Sequence, residues 1–193
     1  KLQQMEKADT EETDRQIKEL EEAERAADEA WANRTVSEKF AASYVLGDSI
    51  TQGLYENQVL DKSFVTAEQD TGVCETEVSM IHNHVSRAIE VSPQVLFLSY
   101  GLKDIEAASG DAGIFVIAYR RVLEELKEKL PETRIYVNSI LPVTQEVIDE
   151  DELYGNIPQF NEELSELCEE EGVTFIDNGS LVKDEYYTED GIH

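Results

Sequence analysis

Two short stretches of the chain hold residue types that together permit acyl transfer. Gly47-Asp48-Ser49-Ile50 places a serine hydroxyl just after the apolar run Tyr44-Val45-Leu46. Asp190-Gly191-Ile192-His193 places an imidazole three residues beyond a carboxylate. A serine hydroxyl is a poor nucleophile and needs a base within about 3 Å. His193 is the candidate base, and Asp190 can accept its ring N–H and fix the tautomer. Between the two stretches lie Gly72 in "DTGVCETEV" and the segment Gly101-Leu102-Lys103-Asp104. They add backbone N–H groups and a polar side chain of the kind that holds an oxyanion. Each stretch alone is also compatible with an ordinary turn, so their placement in the fold has to decide.

From about Ala41 onward the sequence alternates between strand and helix patterns. "SYVLG" reads as a short strand, and "KSFVTAEQ" holds a second around Phe64 and Val65. "QVLFLSYG" is a continuous apolar run, the pattern of a strand buried on both faces. "RIYVNSI" and "VTFID" complete five strands. Glu75–Glu90 is expected to be an amphipathic helix with Val78, Ile81, His82, Val85 and Ile89 on one face. Ala112–Leu130 is a long helix that stops before Pro131, and Pro158–Glu171 is another, with Gly172 as its C-cap. This alternation implies a parallel sheet with helices on both faces, and in such sheets function gathers at the carboxyl ends of the strands. The serine, the glycines, Lys103 and the Asp/His pair all follow proposed strands or lie in the final loop.

In this order the four blocks resemble the SGNH hydrolases, the GDSL-type esterases and lipases. "GDSI" matches the first family block, Gly72 the glycine of the second, "GLKD" the third (normally G-x-N-D) and "DGIH" the last. The resemblance covers about Ser43 to His193. It implies a three-layer α/β/α fold with a flavodoxin-like, roughly five-stranded parallel sheet. It also implies a catalytic Ser49, Asp190 and His193, with the oxyanion held by Ser49 N–H, Gly72 N–H and the side chain at position 103. That position is lysine where the family has asparagine; an ammonium can also donate to an oxyanion, but it is longer and more strongly hydrated than an amide. His193 is the last residue, and family members usually continue into a C-terminal helix; either the chain stops there or a tail follows. Asp48 and Asp104 are expected to bond loop backbone and hold the turns.

The bulk properties narrow the partners. Forty-three acidic against sixteen basic residues give a net charge of −27. A field of that sign repels phosphate backbones, which argues against nucleic acid as a partner and favours neutral or cationic substrates. Cys74 and Cys168 lie in no metal-binding spacing and are expected to be buried free thiols, with a single disulfide as the alternative. No apolar run is long enough to cross a membrane. The chain begins at Lys1 with no signal peptide, as a trimmed or mature form would; an extracytoplasmic or cell-surface location is favoured over the cytoplasm. Residues 1–40 are dense in Glu, Lys and Ala and read as a helix or spacer before a hydrolase domain at 41–193. Ile17, Leu20, Ala27 and Trp31 form a heptad-like stripe interrupted by Glu24. Self-association through this helix, docking of its Trp31 end on the domain and a simple spacer role all fit. The acidic run Glu146–Gly155 reads as a solvated loop over the site, calcium binding being the lesser alternative. His82 and His84 read as surface or packing residues, and Tyr154, Tyr186 and Tyr187 as packing residues able to line a pocket.

The expected function is ester hydrolysis through an acyl-enzyme on small acyl esters, including O-acetylated carbohydrate, with no metal or organic cofactor. The alternatives are an inactive binding module on the same fold and an O-acyltransferase using the same residues.

Overall fold

The computed structural model describes residues 22–74 and 80–193. They divide into two compact units at Lys39/Phe40. In the first, residues 22–32 form helix α1 and Val36–Lys39 the short helix α2. A capping box starts α2: Thr35 N–H donates to Glu38 Oε2 at 2.8 Å, and Glu38 N–H donates back to Thr35 Oγ1 at 3.2 Å. Trp31 is exposed, with the Arg34 guanidinium 5.2 Å from its ring centre. The Ile17 and Leu20 positions of the heptad-like stripe lie outside the described residues.

In the second unit, strands and helices alternate. The order is β1 (Ser43–Gly47), α3 (Ser49–Glu56), β2 (Val65–Ala67), α4 (Met80–Val91), β3 (Val95–Ser99), α5 (Leu102–Ala107), α6 (Ala112–Lys129), β4 (Arg134–Asn138), α7 (Gln145–Glu150), α8 (Ile157–Glu171) and β5 (Thr174–Ile176). All pairings are parallel and the spatial order is β2-β1-β3-β4-β5. This is the three-layer α/β/α architecture the sequence implies, with flavodoxin-like strand order.

The period of two along each strand sorts the side chains onto two faces. Tyr44, Leu46, Leu96, Leu98, Ile135 and Val137 pack against α4, α6 and α8 in the larger core. Phe115 is its hub, with ring centres 5.4 Å from Tyr119 and 5.1 Å from Phe160. Each fully buried side chain of this size contributes roughly 1.5–3 kcal/mol. On the opposite face Val45, Val65 and Ala67 meet Leu54 and Tyr55 of α3, and Phe97 lies between Phe40 and Tyr136. That second layer covers β1 and β2 better than the middle of the sheet. Leu96 and Leu98 are fully buried, whereas Val95 and Phe97 are half-buried. The apolar run of β3 is therefore buried on one face and only partly covered on the other.

Several helices differ from the sequence expectation. Residues 75–79, including Val78, lie outside the described residues. In α4 the buried positions are Ile81, His84, Val85 and Ala88, the i, i+3, i+4, i+7 stripe of a helix, so His84 faces inward and His82 is exposed. Helices α3 and α5 begin directly after β1 and β3. The acidic run expected to be a loop instead forms α7 and a 3₁₀ turn at Glu152–Asn156. Among the described residues, no three His, Cys, Asp or Glu side chains gather in a way that would hold a metal ion. Nor is any helix there long and apolar enough to cross a membrane. Cys74 and Cys168 are free, and Cys168 is buried.

Candidate active site

Parallel register brings the strand ends level. Gly47 pairs with Ser99, and Leu98 with Val137, so the segments leaving β1, β3 and β4 emerge side by side at one edge of the sheet. Each is held by a local device. After β1, Asp48 adopts extended backbone and accepts from Ile50 N–H at 3.1 Å, capping α3. Ser49 is therefore the first residue of a helix, where its backbone N–H has no intrahelical acceptor and lies at the positive end of the dipole. The Asp48 carboxyl is buried, and burial pushes its pKa up to about 6 against the lowering effect of the cap bonds.

After β3, Asp104 is buried at the start of α5 and accepts from Cys74 N–H at 2.7 Å. Both aspartates thus hold turns, as expected from the sequence. Gly72 lies against the same carboxylate: a Cβ there would come within 2.6 Å of Asp104 Oδ1. Only glycine permits that close an approach of the 68–74 loop to α5. After β4, the Asn161 side chain clamps Ile140, accepting from its N–H at 2.8 Å and donating to its carbonyl at 2.9 Å.

The final loop is closed on itself. Thr188 N–H donates to the His193 carbonyl at 2.5 Å, and Gly191 N–H to the Thr188 carbonyl at 3.1 Å. Gly191 sits at φ +68, and a Cβ there would collide with the Thr144 side chain and approach Val147. The start of α7 therefore buttresses the loop. Asp190 Oδ1 accepts from Thr188 Oγ1 at 2.8 Å, Ile192 N–H at 2.9 Å and His193 N–H at 2.8 Å. Those donors, the His193 N–H foremost, hold the Asp190 carboxyl well below the usual carboxylate range despite some desolvation. Its other oxygen, Oδ2, lies 2.6 Å from His193 Nδ1. An ionised acceptor there keeps the proton on Nδ1 and leaves Nε2 as the acceptor. Nε2 is 2.8 Å from Ser49 Oγ.

The structure thus joins Ser49, His193 and Asp190 in one hydrogen-bonded line across 144 residues of sequence. The Lys103 side chain ends among carboxylates. Its ammonium is 3.1 Å from Glu106 Oε2 and 3.8 Å from Asp70 Oδ1, and both carboxylates raise its pKa. Tyr154 donates to the other Glu106 oxygen at 3.0 Å. Beside His193 opens a cleft of about 430 Å³ with apolar walls that include Ile50, Leu54, Leu141, Leu181 and Tyr186. Asn138 and Asn178, linked at 2.9 Å, also line it. Tyr187 packs nearby, donating to the Pro142 carbonyl at 2.7 Å. Sequence reasoning named the triad but missed Asp70, Glu106 and Thr188. Thr188, two residues before Asp190, carries the one local signal: a hydroxyl placed to bond back to it.

The fold is a parallel α/β sheet of flavodoxin-like order, and its carboxyl edge aligns a serine, a histidine and an aspartate. Residues 45–193 match the model of the GDSL-like lipase/acylhydrolase family, and the chain belongs to that family. It is a carboxylic ester hydrolase by that membership. No curated protein matches it. Among solved structures it is similar to a GDSL-like lipase from Bacteroides thetaiotaomicron, at 15% identity and a TM-score of 0.61, covering 88% of this chain and 87% of that one. It is also similar to a carbohydrate esterase family 3 protein from Talaromyces cellulolyticus, at 14% identity and 0.59, covering 78% and 86%. A third is the periplasmic domain of a lipopolysaccharide acetyltransferase from Salmonella ser. Paratyphi A, at 16% identity and 0.51, covering 75% and 69%. At these identities the likeness is one of fold.

Proposed function

We propose that the chain hydrolyses small acyl esters through an acyl-enzyme on Ser49. His193 Nε2 takes the Ser49 proton as Oγ attacks the ester carbonyl, and Asp190 orients the ring and stabilises the imidazolium. Ser49 N–H and Gly72 N–H take the charge that develops on the carbonyl oxygen. Lys103, the third residue expected there, has its ammonium committed to carboxylates. His193 then protonates the leaving alcohol, and water, activated by the same imidazole, releases the acid and restores Ser49. The leaving group must lie next to His193 to receive its proton, which puts it on the side of the apolar-walled cleft. A small acyl group on a larger alcohol, such as an O-acetylated carbohydrate, fits that division. The fold likeness to a carbohydrate esterase and to an acetyltransferase domain supports it.

The observation that carries this reading is the unbroken line from Ser49 Oγ through both ring nitrogens of His193 to Asp190. The experiment is labelling with a fluorophosphonate probe, with the adduct located by mass, beside turnover of p-nitrophenyl acetate. Label on Ser49 together with turnover, both lost in Ser49→Ala, is the expected result. Absence of both in the wild-type protein overturns the reading in favour of a binding module. Acetylated product that forms only when a sugar acceptor is present would make the chain a transferase.

A further inference from the structure

The lysine that stands in place of the family's asparagine has a different task available to it. The loop 68–74 carries Gly72 and is tied down at a few points. Gln69 N–H donates to Gln52 Oε1 of α3 at 2.9 Å, and Cys74 N–H to the buried Asp104 of α5 at 2.7 Å. Asp70, between them, has left-handed backbone at φ 62, which aspartate tolerates better than most residues. The Asp70 carboxylate faces the Lys103 ammonium, and Glu106, one turn further along α5, holds that ammonium in place. Glu106 is itself fixed by the Tyr154 hydroxyl from the 3₁₀ turn after α7. The chain of contacts runs from Tyr154 through Glu106 and Lys103 to Asp70, two residues before Gly72.

We propose that Lys103 is a positioning residue: its ammonium, set by Glu106, pins Asp70 and so fixes the Gly72 N–H relative to Ser49. This rests on the reading of Gly72 as an oxyanion donor. It differs from the direct role in the sign of one effect. A lysine that donated to the oxyanion would be restrained by Asp70 and Glu106, so removing either carboxylate would leave the rate unchanged or raise it. A lysine that pins the loop needs both.

The test is a set of single and double variants assayed for p-nitrophenyl acetate hydrolysis, with Ser49 labelling measured in parallel. Asp70→Asn keeps the backbone preference and removes the charge. The exposed pair predicts a loss of up to about fivefold in kcat, the most that such a pair usually returns, with KM and the thermal midpoint little changed. Lys103→Met should lose about the same, and the double variant no more than either single one. Lys103→Arg should retain most of the rate. Sodium chloride at about 1 M should lower the wild-type rate and leave the double variant alone. A rate that rises in Asp70→Asn, or a loss on the order of 100-fold or more in Lys103→Met with Asp70→Asn unaffected, overturns the proposal and returns Lys103 to the oxyanion. Lack of both labelling and turnover in the wild-type protein is a separate outcome: it removes the esterase reading, and the loop proposal with it.

Discussion

Asp48→Asn should make the protein more stable at neutral pH while leaving the α3 cap in place. The Asp48 carboxyl is nearly fully buried, and burial raises its pKa from 3.8 to about 6. In the unfolded chain the group ionises near its ordinary value. Between the two values the folded state holds a proton that the unfolded state has released, so stability falls as pH rises through that window. Below it both states are protonated and the penalty is absent; above about pH 6 the penalty is fully present. A gap of about two pH units at about 1.4 kcal/mol each gives about 3 kcal/mol as an upper value. Asparagine is as good an N-cap as aspartate, and its side-chain oxygen can still accept from Ile50 N–H. The assay is urea unfolding of both proteins at about pH 4 and about pH 8. Comparing variant with wild type at each pH cancels the other carboxylates of this very acidic chain. The expected result is near equality at the lower pH and a gain of about 1–3 kcal/mol for the variant at the higher one. A variant equal to or weaker than wild type at pH 8 would refute the reasoning. It would mean that the helix N-terminus and the cap bonds outweigh desolvation.

Two further outcomes follow from the same geometry. Asp190→Asn should lower kcat by up to about 10⁴-fold, because an amide can turn its donor toward His193 Nδ1 and trap the wrong tautomer; steady-state hydrolysis with an unchanged circular dichroism spectrum checks it. Asn161→Ala should cost about 2–3 kcal/mol in urea unfolding, since it strips both side-chain bonds from the Ile140 backbone.

The strands were legible because each is a compact apolar run closed by glycine or a polar turn. Ser49, Asp190 and His193 were legible because "GDSI" and "DGIH" resemble family blocks and stand in the family's order around those runs. Contacts that depend on distant partners were not. Nothing near Lys103 in the sequence points to Asp70, thirty-three positions earlier, or to Tyr154 beyond α6 and β4. The acidic run Glu146–Gly155 hid α7 because charge masks a short helix, held here by Val147 against the Gly191 loop. His82 and His84 were interchanged in effect: the helix phase that buries Ile81 and Val85 also buries position 84. The half-covered face of β3 was hidden by composition, since Val95 and Phe97 are as apolar as the fully buried Leu96 and Leu98 beside them. Asp48 shows the reverse, a charged residue in a turn that the fold buries.

The self-closed loop 188–193 holds His193 and Asp190 together, bonded mostly to each other. Its described hydrogen bonds to the rest of the protein are few: Thr144 N–H to the Gly191 carbonyl and His193 to Ser49. Such a segment can open locally at far less free energy than the sheet requires. His193 and Asp190 would then leave Ser49 in a single step. Inactivation by heat or denaturant would therefore run ahead of melting, and its midpoint would report the grip of α7 on Gly191 rather than the strength of the core.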